Sequence, residues 1–243
     1  MRITVLIPCF NESNKVVELF QLIHNLNFMS RTDFFDLDFL LVDNGCTDDT
    51  FLKIENEAFA HISCCNLQTF QIPKNMGYGY GVKSGLVHTH GKNVCILPAD
   101  GKYGAKDILD SMRLFHAIGS SEFLVKGIRI NRNDPTVIQF LSFLYTNLVN
   151  FLAGARVKDV NGLPKIFCND FAFSEISLMS NTACFDANLL FLWVQKGGYI
   201  KEFPVTFTQN LIGDASWSGK RTRTTLKMFW ELVRTTLRIR IAL

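Results

Sequence analysis

The first hundred residues alternate between short apolar runs and helical patterns, and no other feature of the sequence constrains the fold as strongly. The apolar runs are Ile3–Ile7, Phe39–Val42, Leu67–Ile72 and Val94–Leu97. Helical patterns follow them at Lys15–Asn27, Asp48–Ala60, Gly79–Thr89 and Ala105–Ala117. Strands that alternate with helices form parallel sheets covered on both faces. The sequence therefore predicts an α/β domain with a mostly parallel central sheet and helices on both faces.

The second half of the chain is less regular. A strand at Phe123–Ile130 precedes Thr136–Ala153, whose polar residues recur every three or four positions as in an amphipathic helix. Three further elements follow: a helix at Asp186–Gln195, a strand ending at Val205–Thr208 and a helix at Thr222–Ile239. The length of 243 residues fits one large domain. We expect residues 1–218 to form this domain and residues 219–243 to add a basic amphipathic helix, packed on it or facing a membrane.

Composition excludes several classes of protein. The net charge of +3 is too small to indicate nucleic-acid binding by itself. The seven cysteines are odd in number and form no CxxC pair, which favours reduced thiols over disulfides or a zinc site. The N-terminus MRITVLIP turns polar too soon for a secretion signal. These features predict a cytoplasmic protein.

The most apolar segment, Thr136–Ala153, bears on membrane association. Polar side chains interrupt it, whereas a spanning helix needs about 20 nearly unbroken apolar residues. We therefore expect that the chain does not cross a membrane. Together with the basic C-terminal helix, this segment suits peripheral contact with an anionic membrane, at the inner face of the plasma membrane. Packing of both helices on the domain core is an equally open alternative.

Polar clusters close the four N-terminal strands, at Pro8–Asn14, Asp43–Asp49, Lys74–Gly81 and Pro98–Lys102. Ordinary turn chemistry explains any one of them. Parallel strands bring their carboxyl ends to one edge of the sheet, where ligands bind, so four such clusters favour a site for a polar ligand. Within DNGCTDDT, Thr47 or Asp48 can cap the next helix, which leaves Asp43 free to pair with a nucleobase or a sugar.

Four motifs, in this order and spacing, resemble those of family-two glycosyltransferases with the GT-A fold: TVLIPCFNESNKV, LLVDNGCTDDT, KNMGYGYGVKSGL and LPADGKYGAKDI. The later stretches VKGIRINRND, VKDVNGLPKIF and DANLLFLWVQKGGYIKEFPVTF are similar to blocks of the dolichol-phosphate mannose synthase-like, or polyprenyl-phosphate, branch. The similarity runs from about Arg2 to about Ser216. It implies a Rossmann-like GT-A domain and an enzyme that takes a sugar from a nucleotide donor.

The resemblance also implies roles for individual residues on the donor side. The nucleotide pocket would be lined by Pro8, Phe10, Glu12 and Asp43, with Asn75 and Gly77 nearby. Asp100 matches the last acid of the DxD motif, which in the family holds a divalent cation on the diphosphate of the donor. Beyond the family motifs, we expect Lys220 and Arg221 in SWSGKRTRT to fold over that diphosphate.

The chain departs from the family at the DxD motif. Its first acid is replaced by Pro98, and Lys102 stands where the branch carries a glutamine that helps to hold the metal. A metal site needs several oxygen ligands, and one carboxylate remains. Two hypotheses stay open. In the first, Lys102 stabilises the leaving nucleoside diphosphate and Asp100 orients it or touches the sugar. In the second, Lys102 points to solvent, and Asp100, phosphates and water hold Mg²⁺ or Mn²⁺.

On the acceptor side, the resemblance implies that Arg129 binds phosphate, with Arg132 close behind, because guanidinium groups suit phosphate oxygens. Asp159 matches an acid of a later family block and would either act as a base or only orient a neighbouring group or hold structure.

Three functions remain open at this stage. The first is inverting transfer of a sugar from a UDP- or GDP-sugar to a polyprenyl phosphate or glycan intermediate. The second is transfer to a hydroxyl of a growing polysaccharide, with Asp159 or Asp186 as base. The third is a non-catalytic sugar-nucleotide-binding partner protein. The sugar, the nucleobase and the oligomeric state are not determined.

Overall fold

The computed structural model of the chain describes residues 1–33, 35–61, 66–89, 91–130, 135–206 and 221–243, and the side chains of these residues except 58–61, 171–174 and 221–226. The strands are β1 (Arg2–Cys9), β2 (Asp36–Asp43), β3 (Asn66–Gln71), β4 (Asn93–Ile96), β5 (Phe123–Ile130), β6 (Lys165–Cys168) and β7 (Tyr199–Thr206). The helices are α1 (Val16–Ser30), α2 (Thr50–His61), α3 (Tyr78–Val87), α4 (Ala105–Ile118), α5 (Thr136–Ala153), α6 (Asn169–Ala172), α7 (Phe185–Gln195) and α8 (Arg221–Ala242).

The described strands form a single seven-stranded sheet in the order β3-β2-β1-β4-β6-β5-β7. All neighbouring pairs are parallel except those of β6, which runs antiparallel to β4 and β5. The helices pack in two groups: α1 contacts α2 and α4, whereas α7 contacts α3, α5 and α8. The predicted α/β domain with a mostly parallel sheet is confirmed.

Buried apolar side chains explain why the central strands form. In β1, residues Ile3, Val5, Leu6 and Ile7 are all fully buried, as expected for a strand covered on both faces. Strand β6 was missed from the sequence, because it is only four residues long and begins with a lysine. The burial of that lysine, Lys165, is explained by its ion pair with Asp186, described below.

Helix α5 has the predicted bounds, but many of its large apolar side chains are exposed and the polar residue Thr146 is buried. Its buried face consists of Tyr145, Thr146, Val149 and Ala153. The opposite face exposes Val137, Phe140, Phe143, Leu144 and Phe151. Of the helices in the described ranges, it alone is long and apolar enough to cross a membrane by length and composition. The expectation that the chain does not cross a membrane therefore stays a prediction.

Candidate active site

The strand-end clusters meet at one edge of the sheet, as predicted. Strands β3, β2, β1 and β4 are consecutive neighbours and run in the same direction. At the end of this group Cys9 lies beside Asp43, and Asp43 lies beside Gln71. The loops after these strands therefore form one cleft, which we call the strand-end cleft.

Side-chain hydrogen bonds join the loops that follow β1 and β2. Asn11 has a positive φ of 53°, and its amide Nδ2 donates to the hydroxyl of Thr47 at 3.0 Å. The Thr47 backbone N–H donates in return to Asn11 Oδ1 at 2.9 Å. The backbone N–H of Glu12 donates to the Thr50 hydroxyl, also at 2.9 Å. These bonds fix the backbone around Phe10, whose ring is 40% exposed and available to contact a ligand.

The prediction that Asp43 is free was wrong. Its side chain is buried, with Oδ1 accepting the backbone N–H of Cys46 at 2.8 Å and Oδ2 accepting Nε2 of Gln71 at 3.0 Å. An Asx-type bond to a nearby N–H is usual for an aspartate at a turn, and the partner from β3 lies too far along the chain to be read from the motif. Asp48, by contrast, accepts the backbone N–H of Thr50 at 3.0 Å, as expected near the start of α2.

Close backbone contacts place the Lys74–Gly77 turn against the loop after β2. Gly45 has a φ of +72°, and a Cβ added there would lie 2.3 Å from the backbone nitrogen of Asn75. The Asn75 side chain accepts the N–H of Gly77 at 2.7 Å, and the Asn44 amide donates to the Gly77 carbonyl at 3.0 Å. Asn44 was not singled out from the sequence, although it directly follows Asp43 in the motif.

Replacing Gly45 by alanine is expected to destabilise the protein by more than the strain of a positive φ alone, which is about 1–2 kcal/mol. The added Cβ also meets backbone atoms that cannot move aside easily. Gly154→Ala is a matched control, because Gly154 has a similar φ of +68° with open space around it. Urea denaturation of the two variants measures the difference. Equal losses of stability would contradict the close packing of these loops.

Lys102 is held inside the strand-end cleft beside Asp100. Its Nζ lies 3.4 Å from Asp100 Oδ2, and its backbone N–H donates to Asp100 Oδ1 at 3.3 Å. The lysine side chain is only 16% exposed, so it does not point to solvent. The hypothesis that Asp100 orients the ammonium group is consistent with this geometry.

The residues around Asp100 do not fit a divalent cation well. In the portion of the chain that the structure describes, no three His, Cys, Asp or Glu side chains form a cluster able to hold a metal ion. The Lys102 ammonium group, 3.4 Å from the carboxylate, would also repel a metal cation bound there. We therefore derive no step of the reaction through a metal.

Tyr103 connects the strand-end cleft with the predicted acceptor side. Its ring is buried, and burial raises the pKa of its hydroxyl. The charges of Arg129, Asp100 and Asp159 all influence this pKa, so the three side chains are in the neighbourhood of the hydroxyl. Tyr103 was not identified from the sequence, and its place shows that Asp100 and Arg129 share one region of the molecule.

Arg129 and Asp159 form a two-pronged ion pair on the acceptor side. Nε and Nη2 of Arg129 lie 2.8 Å from Oδ2 and Oδ1 of Asp159, respectively. Burial would raise the pKa of Asp159, but its bonds to Arg129 and the charge of Lys126 hold that pKa well below its usual range. Asp159 is therefore a weak base. The geometry favours the alternative in which Asp159 orients or holds structure, here by fixing the position of Arg129.

The buried side chain of Lys126 supports the loop that carries Asp159. Lys126 Nζ donates to the carbonyls of Gly127 and Asp159 and lies 3.2 Å from Glu202 Oε1. Burial, followed by the charge of Lys165, lowers the pKa of Lys126 to about 8. Glu202 in turn accepts the backbone N–H of Lys158 at 2.9 Å. A lysine inside the apolar strand FLVKGI was the sequence signal that could have revealed this network.

Asp186 lies at the start of α7 and is buried. Its Oδ1 is 2.9 Å from Nζ of Lys165, which also donates to the Gly162 carbonyl at 3.1 Å. Burial raises the pKa of Asp186, opposed by the charge of Lys165. The pKa values of Asp159 and Asp186 are thus displaced in opposite directions. Of the two carboxylates considered as a base, Asp186 is the one with the stronger basicity.

Three predicted site residues lie outside the part of the chain that can be assessed. Arg132 and Lys220 fall outside the described residues, and only the backbone of Arg221 is described. Their predicted contacts with phosphate groups stay predictions.

The sequence and the fold of the chain were compared with those of known proteins. No family model matches the chain. A dolichyl-phosphate beta-glucosyltransferase of Trichomonas vaginalis is 24% identical over 253 residues, which cover 99% of this chain and 72% of that protein. A dolichyl-phosphate beta-glucosyltransferase of Dictyostelium discoideum is 25% identical over 218 residues, which cover 85% of this chain and 66% of that protein. These matches agree with the resemblance of the sequence to family-two glycosyltransferases. The chain spans only part of the length of each of these relatives.

Solved structures confirm the GT-A fold of the chain. Glucosyl-3-phosphoglycerate synthase from Mycobacterium tuberculosis, in complex with UDP, superposes with a TM-score of 0.68 at 15% identity, covering 96% of this chain and 79% of that one. TarS from S. aureus, in complex with UDP-GlcNAc, superposes with a TM-score of 0.60 at 15% identity. The match covers 97% of this chain and 66% of the TarS chain. The resemblance to the polyprenyl-phosphate branch agrees with the two dolichyl-phosphate relatives.

Proposed function

We propose that this glycosyltransferase moves a sugar from a UDP-sugar to a polyprenyl phosphate, with inversion, and that Lys102 takes the place of the usual cation. The observation that carries the proposal is the Lys102 ammonium group, which is largely buried and lies 3.4 Å from Asp100 at the end of β4. The UDP complexes of the structural neighbours support a uridine donor, and the names of the relatives support glucose and dolichyl phosphate as a first choice.

The chemical step follows from the charges of the two partners. An oxygen of the acceptor phosphate attacks the anomeric carbon, the bond from that carbon to the donor diphosphate breaks, and UDP leaves with the electron pair. The acceptor phosphate is already anionic and needs no base. Lys102 stabilises the negative charge that grows on the diphosphate, and Arg129 attracts the acceptor phosphate. The remaining contribution is in-line positioning by the loops of the strand-end cleft.

A mechanism in which Mg²⁺ or Mn²⁺ assists remains an alternative, because one structural neighbour binds Mn²⁺ together with UDP. Against it stand Pro98 in place of the first acid and the ammonium group beside Asp100.

A second acceptor class is favoured by Asp186. Transfer to a sugar hydroxyl needs a base, and the raised pKa of this buried carboxyl suits one. Substituting asparagine for Asp186 discriminates between the two classes. Transfer to a phosphate acceptor would lose little beyond any effect on folding, whereas transfer to a hydroxyl would fall by about a hundredfold or more.

Contact with a membrane would bring the enzyme to its lipid-linked acceptor. The exposed apolar face of α5, together with exposed Trp230 and Leu237 on α8, supports this proposal. We propose a cytoplasmic enzyme bound peripherally by these helices.

Release of UDP from UDP-glucose, with and without a short-chain polyprenyl phosphate, tests the function. The proposal expects acceptor-dependent release and a glycolipid product of inverted anomeric configuration. Turnover with GDP-mannose but not with UDP-glucose would show that the donor is a GDP-sugar rather than the proposed UDP-sugar. Binding of UDP without turnover on any phosphate or hydroxyl acceptor would overturn the proposal.

A further inference from the structure

A cavity of about 410 Å³ lies between α3, the turn around Met179 and α8. Among the described residues, its lining includes none from the loops that form the strand-end cleft, nor Arg129, Asp159 or Asp186, although the lining residue Asn181 packs close to Gly77. The cavity is therefore a second concave site, and its volume is within the usual range for small-molecule pockets, about 300–1,000 Å³.

Positive charges converge on this cavity. It is lined by Lys83 from α3 and by Arg234 and Arg238 from α8. The two arginines are four residues apart on the helix, so their side chains lie on the same face, one turn above the other. Among the residues that the structure describes, no carboxylate forms an ion pair with any of the three, although acidic partners are usual for basic side chains grouped in this way.

Among the described residues that line the cavity, the one acidic side chain already has a hydrogen-bond partner. Glu231 accepts a hydrogen bond from the Ser180 hydroxyl, which fixes the carboxylate on the wall between α8 and the preceding turn. Its charge offsets one of the three positive charges. The cavity therefore retains a net positive charge.

Lys83 is held in place and is short of compensating charge. Its Nζ donates to the carbonyl of Met179 at 2.9 Å, which leaves two further N–H donors. Burial, and then the charge of Arg238, lowers the pKa of Lys83. A bound anion would offset the repulsion between Lys83 and Arg238. It would also accept hydrogen bonds from the two remaining N–H groups of Lys83.

We propose that the cavity lined by Lys83, Arg234 and Arg238 binds an anion that carries a phosphate group, at a site separate from the donor and acceptor sites. Each guanidinium group can donate two parallel hydrogen bonds to a phosphate group, and the ammonium group adds a point charge. This set of side chains therefore suits a phosphate monoester better than a single carboxylate. Asn181, whose side-chain amide carries N–H donors, also lines the cavity.

The phosphate has two possible sources. One is the headgroup of an anionic lipid, because Trp230 lines the cavity, is 73% exposed, and precedes exposed Leu237 and Ile241 on the same helix. A Trp beside basic residues on an amphipathic helix is typical of helices at a membrane surface. The other source is a small soluble phosphate ester. The two sources share their chemistry at the cavity and differ in the probe that detects them.

The experiment compares Arg234→Gln/Arg238→Gln with Lys227→Gln/Arg240→Gln. Both double variants remove two positive charges from exposed positions of α8, but only the first pair lines the cavity. Flotation with vesicles of phosphatidylcholine, with and without phosphatidic acid, tests the lipid source. Calorimetric titration with sn-glycerol 3-phosphate at constant ionic strength tests the soluble source. Thermal unfolding with and without UDP shows, for each variant, that the fold and the donor site are intact.

The proposal expects the cavity variant to lose affinity for one of the two probes by about tenfold or more, while the control variant stays close to wild type. Loss with phosphatidic acid vesicles would assign the lipid, and loss with glycerol phosphate alone would assign a soluble ester. Equal losses in the two variants would show diffuse attraction by the whole helix and would overturn the site. If the wild-type protein binds neither the phosphatidic acid vesicles nor sn-glycerol 3-phosphate, the proposed site is overturned as well. Because UDP binding is measured in parallel, these outcomes are independent of the proposed transfer reaction.

Discussion

Replacing Lys102 by methionine is expected to lower kcat for sugar transfer by about a hundredfold or more, with a smaller change in KM for the donor. Methionine retains much of the apolar stem and removes the ammonium group that lies 3.4 Å from Asp100. The leaving diphosphate gains negative charge as its bond to the sugar breaks, so a fixed cation stabilises the transition state more than the bound donor. Steady-state kinetics at saturating acceptor measure both constants.

Lys106→Met is the matched control for this variant. Lys106 also pairs with a carboxylate, at 2.6 Å from Asp110 Oδ2, but it lies on the exposed side of α4. An exposed ion pair contributes little, so we expect kcat within about twofold of the wild type. Unchanged kcat in the Lys102 variant would contradict its proposed role, and equal losses in both variants would indicate a non-specific effect of charge.

Replacing Arg129 by methionine is expected to lower the free energy of unfolding by about 3–5 kcal/mol, because it leaves the buried carboxylate of Asp159 without its guanidinium partner. Transfer to a phosphate acceptor should fall in addition. The double variant Arg129→Met/Asp159→Asn removes both charges. We expect it to be more stable than the single variant, since no unpaired charge is then left in the site.

The pH dependence of this effect has a definite sign. The folded protein holds the pKa of Asp159 below the value of about 3.9 expected in the unfolded chain. The pair therefore contributes stability above that unfolded pKa and loses it as the pH falls through the folded pKa. The destabilisation caused by Arg129→Met should be largest at neutral pH and should shrink below about pH 4. Urea denaturation at both pH values measures it, and a loss of stability that does not vary with pH would contradict the ion pair.

The elements that were predicted correctly are those with a strong local pattern. Helix α5 has the predicted bounds Thr136–Ala153, because its polar and apolar residues alternate with the helical period over its whole length. Strand β6 was missed because Lys165 interrupts its apolar pattern, and only the distant partner Asp186 makes that lysine compatible with burial. A lysine within an apolar run signals that a buried partner exists, but the local sequence does not identify that partner.

The contrast between local patterns and contacts distant in sequence also applies to the candidate active site. The proximity of Asp100 and Lys102 could be predicted, because they are two residues apart in one turn. The pairing of Arg129 with Asp159 bridges 30 residues, and the bond from Gln71 to Asp43 bridges 28. Asp43 was considered free to bind a ligand, whereas both of its oxygens accept hydrogen bonds within the chain, and the pairing of Arg129 with Asp159 was not predicted. Contacts between elements distant in sequence depend on how the sheet is ordered, which the motifs alone do not specify.

The measurement that tests the central claim most directly is the rate of sugar transfer by the wild-type enzyme, freed of metal and assayed in excess EDTA. If the Lys102 ammonium group does the work of a divalent cation on the donor diphosphate, the rate will be unchanged by EDTA and will not increase when Mn²⁺ or Mg²⁺ is added. Transfer that is abolished by EDTA and restored by Mn²⁺ would contradict the account.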